Sequence, residues 1–437
     1  MTVRNGEVEL AYTLSEEGLC VRVLVDGSFG FASVNAPTRG ETRETVSRAI
    51  KLAKGAKRRN PILLAEVKAE KARWRGKEKQ KLSAVSVEEM VKALREVDAA
   101  AQETGPKLPT RLCSLDFKQV ERAYSNSEGT DVQGHSPRWG IHFFLSGVEG
   151  GKSLQSYKYF GYTGGWEGFE KLGVLANTRE LARGMKRNLR EGKELPPGKM
   201  DVVAGPNLSG IASHESSGHP MEADRILGRE AAQAGKTFVS QGMLGKRIGS
   251  DLVNIIDDPT LPSSFGFYEF DEEGVRAQKR YLYKGGKINE FLLNRQSAQE
   301  MGLPPNGAAR AVGYDRESIV RMSNTYVEPG DWDAQEIIEA TRSGLYLKSY
   351  TEWNIDDRRY NQKYTGMEAY LIRDGEVTSP VRNPVLELTT PAFWGAVDAV
   401  GKDLEFDAGT CGKGDPMQGC DVWFGGPTIR LHNVRMR

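Results

Sequence analysis

Ser213-His214-Glu215-Ser216-Ser217-Gly218-His219-Pro220 sets two of the chain's five histidines five residues apart, with a glutamate directly after the first. Two imidazoles can hold a metal ion, and a carboxylate beside them can take a proton from water. The H-E-x-x-H pattern spaces its histidines four apart on one helix face. Here the spacing is one residue longer. A regular helix turns about 100° per residue, so positions i and i+4 lie about 40° apart and positions i and i+5 about 140° apart. On such a helix the two rings would not reach one ion. Gly218 tolerates backbone angles that other residues avoid, and Pro220 disfavours the α conformation at His219. The stretch therefore predicts a widened π-type turn, or a helix that ends near Gly218 and aims His219 back.

Working outward, residues 201–204 read as a strand, and Asn207 in the turn Gly205-Pro206-Asn207 suits the N-cap of the helix bearing the histidines. Beyond Met221 the pattern is mostly β, at 281–283, 287–293, 319–326, 369–373 and 428–432. Arg373-Asp374-Gly375-Glu376 forms a hairpin turn there, and short helices are expected at 333–342 and 393–400. Towards the N-terminus, 8–14, 19–25 and 28–34 read as short strands, the last two joined at Asp26-Gly27. Helical periodicity runs through 42–54 and again through 86–103, where Ser86 can cap and Val87, Met90, Val91, Leu94 and Val97 form a stripe. Strand-like runs at 111–126, 138–146 and 156–162 precede a long amphipathic helix, 169–190. Residues 192–198, with Pro196-Pro197, form a linker. The resulting fold class is α+β. An N-terminal mixed α/β domain, 1–195, precedes a β-rich C-terminal domain, 196–437, which carries the helix with the two histidines.

Composition narrows the function. Lys plus Arg is 60 against 59 for Asp plus Glu, so nothing in the net charge favours nucleic acid as a partner. Residues 51–81 hold twelve Lys and Arg against three Glu, a pattern read as a solvated helix or arm. No apolar stretch approaches the ~20 residues a membrane span needs, and residues 1–10 lack an apolar signal core. Four cysteines in 437 residues make no disulfide framework. A cytoplasmic protein that binds neither membrane nor nucleic acid is expected.

A catalytic zinc site usually takes three protein ligands. Besides His214 and His219, Glu222 could reach the same ion on a continuing helix, and Asp224 is a weaker choice. Cys411, in Gly409-Thr410-Cys411-Gly412-Lys413, sits between small residues where backbone can approach closely. Cys420 follows nine residues later and could pair with it. The residues alone leave the third ligand open. Arg321, Tyr314 and Tyr364 are candidate donors to a developing oxyanion.

The His-Glu-x-x-x-His stretch together with the late Cys411-Gly412-Lys413 resembles the TldD/PmbA family of metallopeptidases. The likeness covers nearly the whole chain. It includes Val21-Arg22-Val23, Gly30-Phe31-Ala32-Ser33, Arg321-Met322-Ser323-Asn324-Thr325, Gly344-Leu345-Tyr346, Ala369-Tyr370-Leu371-Ile372 and the closing run to Gly426-Pro427-Thr428. The resemblance implies His214, His219 and Cys411 as ligands of Zn2+ and Glu215 as the catalytic base. Arg321 and Asn324 are assigned to substrate binding. It also implies a dimer, with a second copy or a paralogous subunit, that lays short or unfolded peptides along a sheet edge. Paralogues in the family lack the ligand set; this chain keeps it and resembles the active type. Pro220, Gly414-Asp415-Pro416 and Cys420 depart from the family's pattern. The expected function is an intracellular zinc metallopeptidase. The alternatives are a non-catalytic peptide-binding subunit with a structural metal, and a metal-dependent amidase.

Overall fold

The computed structural model describes residues 1–56, 58–230 and 235–437. In the N-terminal part, two long strands, Lys107–Ser125 and Asp131–Glu149, pair antiparallel and dominate a six-stranded sheet. Asn126 shapes the turn between them: its side-chain oxygen accepts the N–H groups of Glu128 and Thr130. Side chains alternate along Asp131–Glu149, so Trp139, Ile141, Phe143 and Leu145 all face one way and are buried. Helices Val87–Thr104 and Val174–Glu191 supply Leu94, Val97, Ala182, Met185 and Leu189 to the same core. Ser86 caps the first helix through a reciprocal pair with Glu89, as its sequence predicts. The strands Gly18–Val25 and Ser28–Asn35 form a separate hairpin, packed on the helix Arg39–Gly55.

The C-terminal part is β-rich, as expected. One sheet closes on itself: Ser343–Ile355 pairs with Gly198–Ala204 on one side and with Asn361–Arg373 on the other. A second sheet joins Ile255–Asp257, Asn324–Val327 and the hairpin Glu405–Lys413/Gln418–Gly426. The helix Pro206–Ala212 packs between these sheets. It passes so close to one strand that a Cβ at Gly210 would stand 3.1 Å from Gly425 Cα.

Several local expectations need correction. Gly173 takes a left-handed conformation, φ 56°, and divides the expected helix 169–190 into Gly168–Lys171 and Val174–Glu191. Asn207 does not cap. Proline is suited to the first helical position, so the helix starts at Pro206 after Gly205, and Asn207 donates instead to Asp407, 2.6 Å away. The strand expected at 8–14 is Glu7–Leu10, the one at 287–293 shrinks to Lys287–Ile288, and 319–326 splits into Ile319–Val320 and Asn324–Val327. The helix expected at 393–400 is the helix Thr390–Gly395 followed by the strand Val397–Val400. Among the described residues, no helix is long and apolar enough to cross a membrane.

Candidate metal centre

After Ala212 the α-helix widens into a π turn, Ser213–Gly218, and closes with the short 3-10 turn His219–Met221. The His219 N–H donates to the His214 carbonyl, five residues back. That extra residue in the loop of the hydrogen bond is what the five-residue spacing requires. The two rings stand edge to face with centroids 5.0 Å apart. Gly218 has no room for a side chain, because a Cβ there would be built into Met322 Sδ.

Cys411 arrives on the strand Glu405–Lys413 and places Sγ 3.3 Å from His219 Nε2. Its carbonyl accepts from Arg321, whose other terminal nitrogen donates to the Gln418 carbonyl at 2.7 Å. The ligand atoms of His214, His219 and Cys411 lie within 4.8 Å of one another, and all three residues are buried. In a tetrahedral zinc site with bonds of 2.0–2.3 Å, neighbouring ligand atoms stand about 3.3–3.8 Å apart. Cys411 Sγ and His219 Nε2, 3.3 Å apart, already have that spacing, and the trio as a whole, within 4.8 Å, closes on one ion with an inward shift of about 1 Å. Among the described residues His214 Nδ1 is buried with no hydrogen-bond partner, so the protein's own polar groups do not satisfy this ring.

Electrostatics agree. Burial lowers the pKa of both His214 and His219, which keeps the rings neutral. Burial by itself would raise the Cys411 thiol, but the His219 ring and the Arg321 guanidinium outweigh it and bring it down to about 7. A thiolate is the form that binds metal.

Two carboxylates flank this trio. Glu222 sits at the far side of the His219 ring, with Oε2 2.9 Å from Nδ1. The same oxygen takes Arg225 Nε at 2.6 Å and lies 3.3 Å from Lys413 Nζ. Burial would raise the Glu222 carboxyl, yet Lys413 and Arg225 hold it well below the usual range. Glu222 therefore faces the ring nitrogen opposite the one that meets Cys411. Glu215 lies on the other side, with Oε2 4.0 Å from His219 Nε2 and 2.5 Å from Arg359 Nη1.

The remaining candidates disperse. Arg321 is buried behind Cys411, and fully buried Asn324 bonds to the Asp258 carbonyl, Ser264 Oγ and the Gly266 N–H. Neither side chain offers surface to a substrate. Asp224 pairs with Lys413, away from the trio. Cys420 lies opposite Cys411 in the hairpin register, and both are free thiols. Tyr364 donates to Gln362, and Tyr314 packs against Gly18 in the N-terminal hairpin. A hollow of about 3450 Å³ opens between that hairpin and the strand Lys107–Ser125, and none of His214, Glu215, His219 or Cys411 lines it. Arg359 was not foreseen. It stands in the run Asp356-Asp357-Arg358-Arg359-Tyr360, two acids followed by two bases, which carries no catalytic motif.

Three family models of the PmbA/TldA metallopeptidases match the chain: domain 1 at residues 1–54, the central domain at 80–188 and the C-terminal domain at 197–437. A metalloprotease of Methanocaldococcus jannaschii is 31% identical over 98% of this chain and 92% of its own length. A zinc metalloprotease TldD homolog of Saccharolobus solfataricus is 26% identical over 96% of this chain and 90% of its own. The solved structure of a proposed DNA gyrase modulator from Thermotoga maritima superposes with a TM-score of 0.79 at 16% identity, over 100% of this chain and 92% of that one, a likeness of fold. The class these define is the metallopeptidases, and the chain belongs to the PmbA/TldD family within it.

Proposed function

We propose that this protein is a zinc peptidase in which His214, His219 and Cys411 hold the ion and Glu215 is the general base. The observation that carries the reading is the convergence of two neutral imidazoles and an acidified thiol within 4.8 Å, beside a carboxylate. A zinc ion bound there would supply an electrophile that acidifies water. Glu215 accepts the proton of the attacking water and returns it to the leaving amine. Glu222 fixes the His219 ring through Nδ1 and leaves Nε2 free for the ion, the support a metal-bound histidine normally receives. Arg321 anchors the carbonyl of Cys411 and so the position of its sulfur.

The four site residues are all less than 10% exposed. A folded protein cannot thread a bond into such a centre, so the substrates are short or unstructured peptides, held by main-chain pairing to a strand. The working form is a dimer with a second copy or a paralogous subunit. A reducing, cytoplasmic setting suits the four free thiols.

The test pairs metal analysis with cleavage of an unstructured peptide library by wild type and Glu215→Gln. The expected result is one zinc per chain in both and cleavage by wild type only. A zinc-loaded wild type that cleaves small amides but no peptide would assign the protein to the amidases. Zinc without cleavage of either would leave it as a binding subunit.

A further inference from the structure

The hairpin between Ser343–Ile355 and Asn361–Arg373 buries a cation at its tip. Asp356 organises the turn. Its carboxylate accepts the N–H groups of Tyr360 at 2.8 Å and Asn361 at 3.1 Å and the Asn361 side chain at 2.6 Å, and its carbonyl accepts the Arg359 N–H at 2.9 Å. Thr390 Oγ1 donates to the Arg359 carbonyl at 2.9 Å, and the Arg358 carbonyl takes the Phe238 N–H at 2.9 Å. Arg359 is thereby held at φ 62°, a left-handed conformation that side-chain-bearing residues seldom adopt. The tip is built to send one side chain inward.

That side chain is under-used where it ends. The Arg359 residue is 8% exposed and its Nη1 donates to Glu215. Among the described residues its Nε is buried without a partner and Nη2 makes no hydrogen bond. A guanidinium carries five N–H donors, and a buried donor left unmade destabilises the fold. Its charge also acts on both His214 and His219. The unused terminal nitrogen Nη2 therefore sits on a guanidinium that is anchored directly to Glu215, beside the trio.

We propose that Arg359 is a catalytic residue whose N–H groups take up the negative charge that develops on the scissile carbonyl oxygen. This rests on the peptidase reading above. The water oxygen bonds to the carbonyl carbon, one water proton passes to Glu215, and the carbonyl π pair moves onto oxygen, where Arg359 donates to it. Collapse restores the carbonyl, breaks the carbon–nitrogen bond, and the proton on Glu215 goes to the leaving nitrogen. No further reactant is needed.

Calorimetry on zinc-loaded E215Q and E215Q/R359Q tests this without turnover, using a phosphinic peptide that mimics the tetrahedral state and its ordinary amide counterpart. The expected result is a loss of phosphinate affinity on the order of 10²-fold on R359Q, with amide affinity within about threefold. In the otherwise native enzyme, R359Q lowers kcat by about 10²–10³-fold with little change in KM. Should E215Q bind phosphinate no better than amide, the peptidase reading and this assignment fall together. Should E215Q prefer phosphinate and E215Q/R359Q keep that preference, Arg359 acts only through Glu215 and this assignment alone is overturned. R359K keeps the charge and serves if R359Q fails to fold. A smaller loss of the same selectivity supports the proposal, and equal loss for both ligands overturns it.

Discussion

Glu215 and Glu222 flank the same histidine, yet the structure treats them in opposite ways. Glu222 is fully buried and clamped: one oxygen meets an imidazole nitrogen, Arg225 and Lys413 together. Among the described residues Glu215 is held by one guanidinium that has donors to spare, and its oxygen lies 4.0 Å from His219 Nε2, the nitrogen that meets Cys411. The difference separates scaffold from chemistry. A carboxylate enclosed by cations cannot accept a proton readily, and so it serves to orient its neighbour. One with few partners keeps its lone pairs for a reaction.

Replacing each in turn should pull these roles apart. Glu215→Gln should lower kcat by about 10²–10⁴-fold, the usual worth of a positioned acid–base group, with zinc content intact and the melting temperature nearly that of wild type. Glu222→Gln should do the reverse in kind. Taking away its charge removes a buried counter-ion that Arg225 and Lys413 share, which destabilises by about 3–5 kcal/mol, and zinc affinity should fall about 10–100-fold. Thermal melts and zinc titrations on the two variants check this. If Glu215→Gln melts as early as Glu222→Gln, the division between them is wrong.

The turn that separates the two carboxylates gives a smaller effect. Gly218→Ala would push a methyl group into Met322, which packs in the C-terminal core. Overpacking of this kind costs about 1–3 kcal/mol, and relief by opening the π turn would move His219 away from Cys411. The variant should therefore lose zinc affinity as well as stability. Unchanged zinc binding in a destabilised Gly218→Ala would show that the turn tolerates a shift without moving the ring.

How far the site was readable from sequence follows from the range of the forces involved. The π turn was legible because its cause is local: a five-residue histidine spacing, a glycine and a proline within one turn. Glu222 was visible only as a candidate ligand, since its approach to His219 Nδ1 depends on Arg225 and on Lys413 from the far end of the chain. Arg359 was invisible. Its burial is decided by Asp356 folding the hairpin tip and by Thr390 and Phe238 holding it, contacts that no periodicity announces. The fold shows the same pattern. The helix capped by Ser86 was anticipated by its own residues, whereas the break at Gly173 and the strand after Gly395 override otherwise helical runs.

The clamped arrangement at Glu222 has a counterpart away from the site, which isolates its structural worth. Asp421, on the strand Gln418–Gly426, accepts from Lys118 at 3.1 Å and Arg138 at 3.4 Å, both on the long strands of the N-terminal sheet. Burial alone would raise its carboxyl, but the two cations prevail and hold it below its ordinary value of 3.8. The folded protein thus releases this proton more easily than the unfolded chain does. The stability it contributes is present above about pH 4 and is lost as the pH falls through the folded-state value. Asp421→Asn should be less stable by about 1–2 kcal/mol at neutral pH. In urea titrations from pH 7 down to pH 3, the wild-type and variant stabilities should converge in the acid range. Curves that stay parallel to pH 3 would mean that the ionised carboxylate adds nothing beyond what an amide provides, and the clamp at Glu222 would then owe its worth to the imidazole it orients.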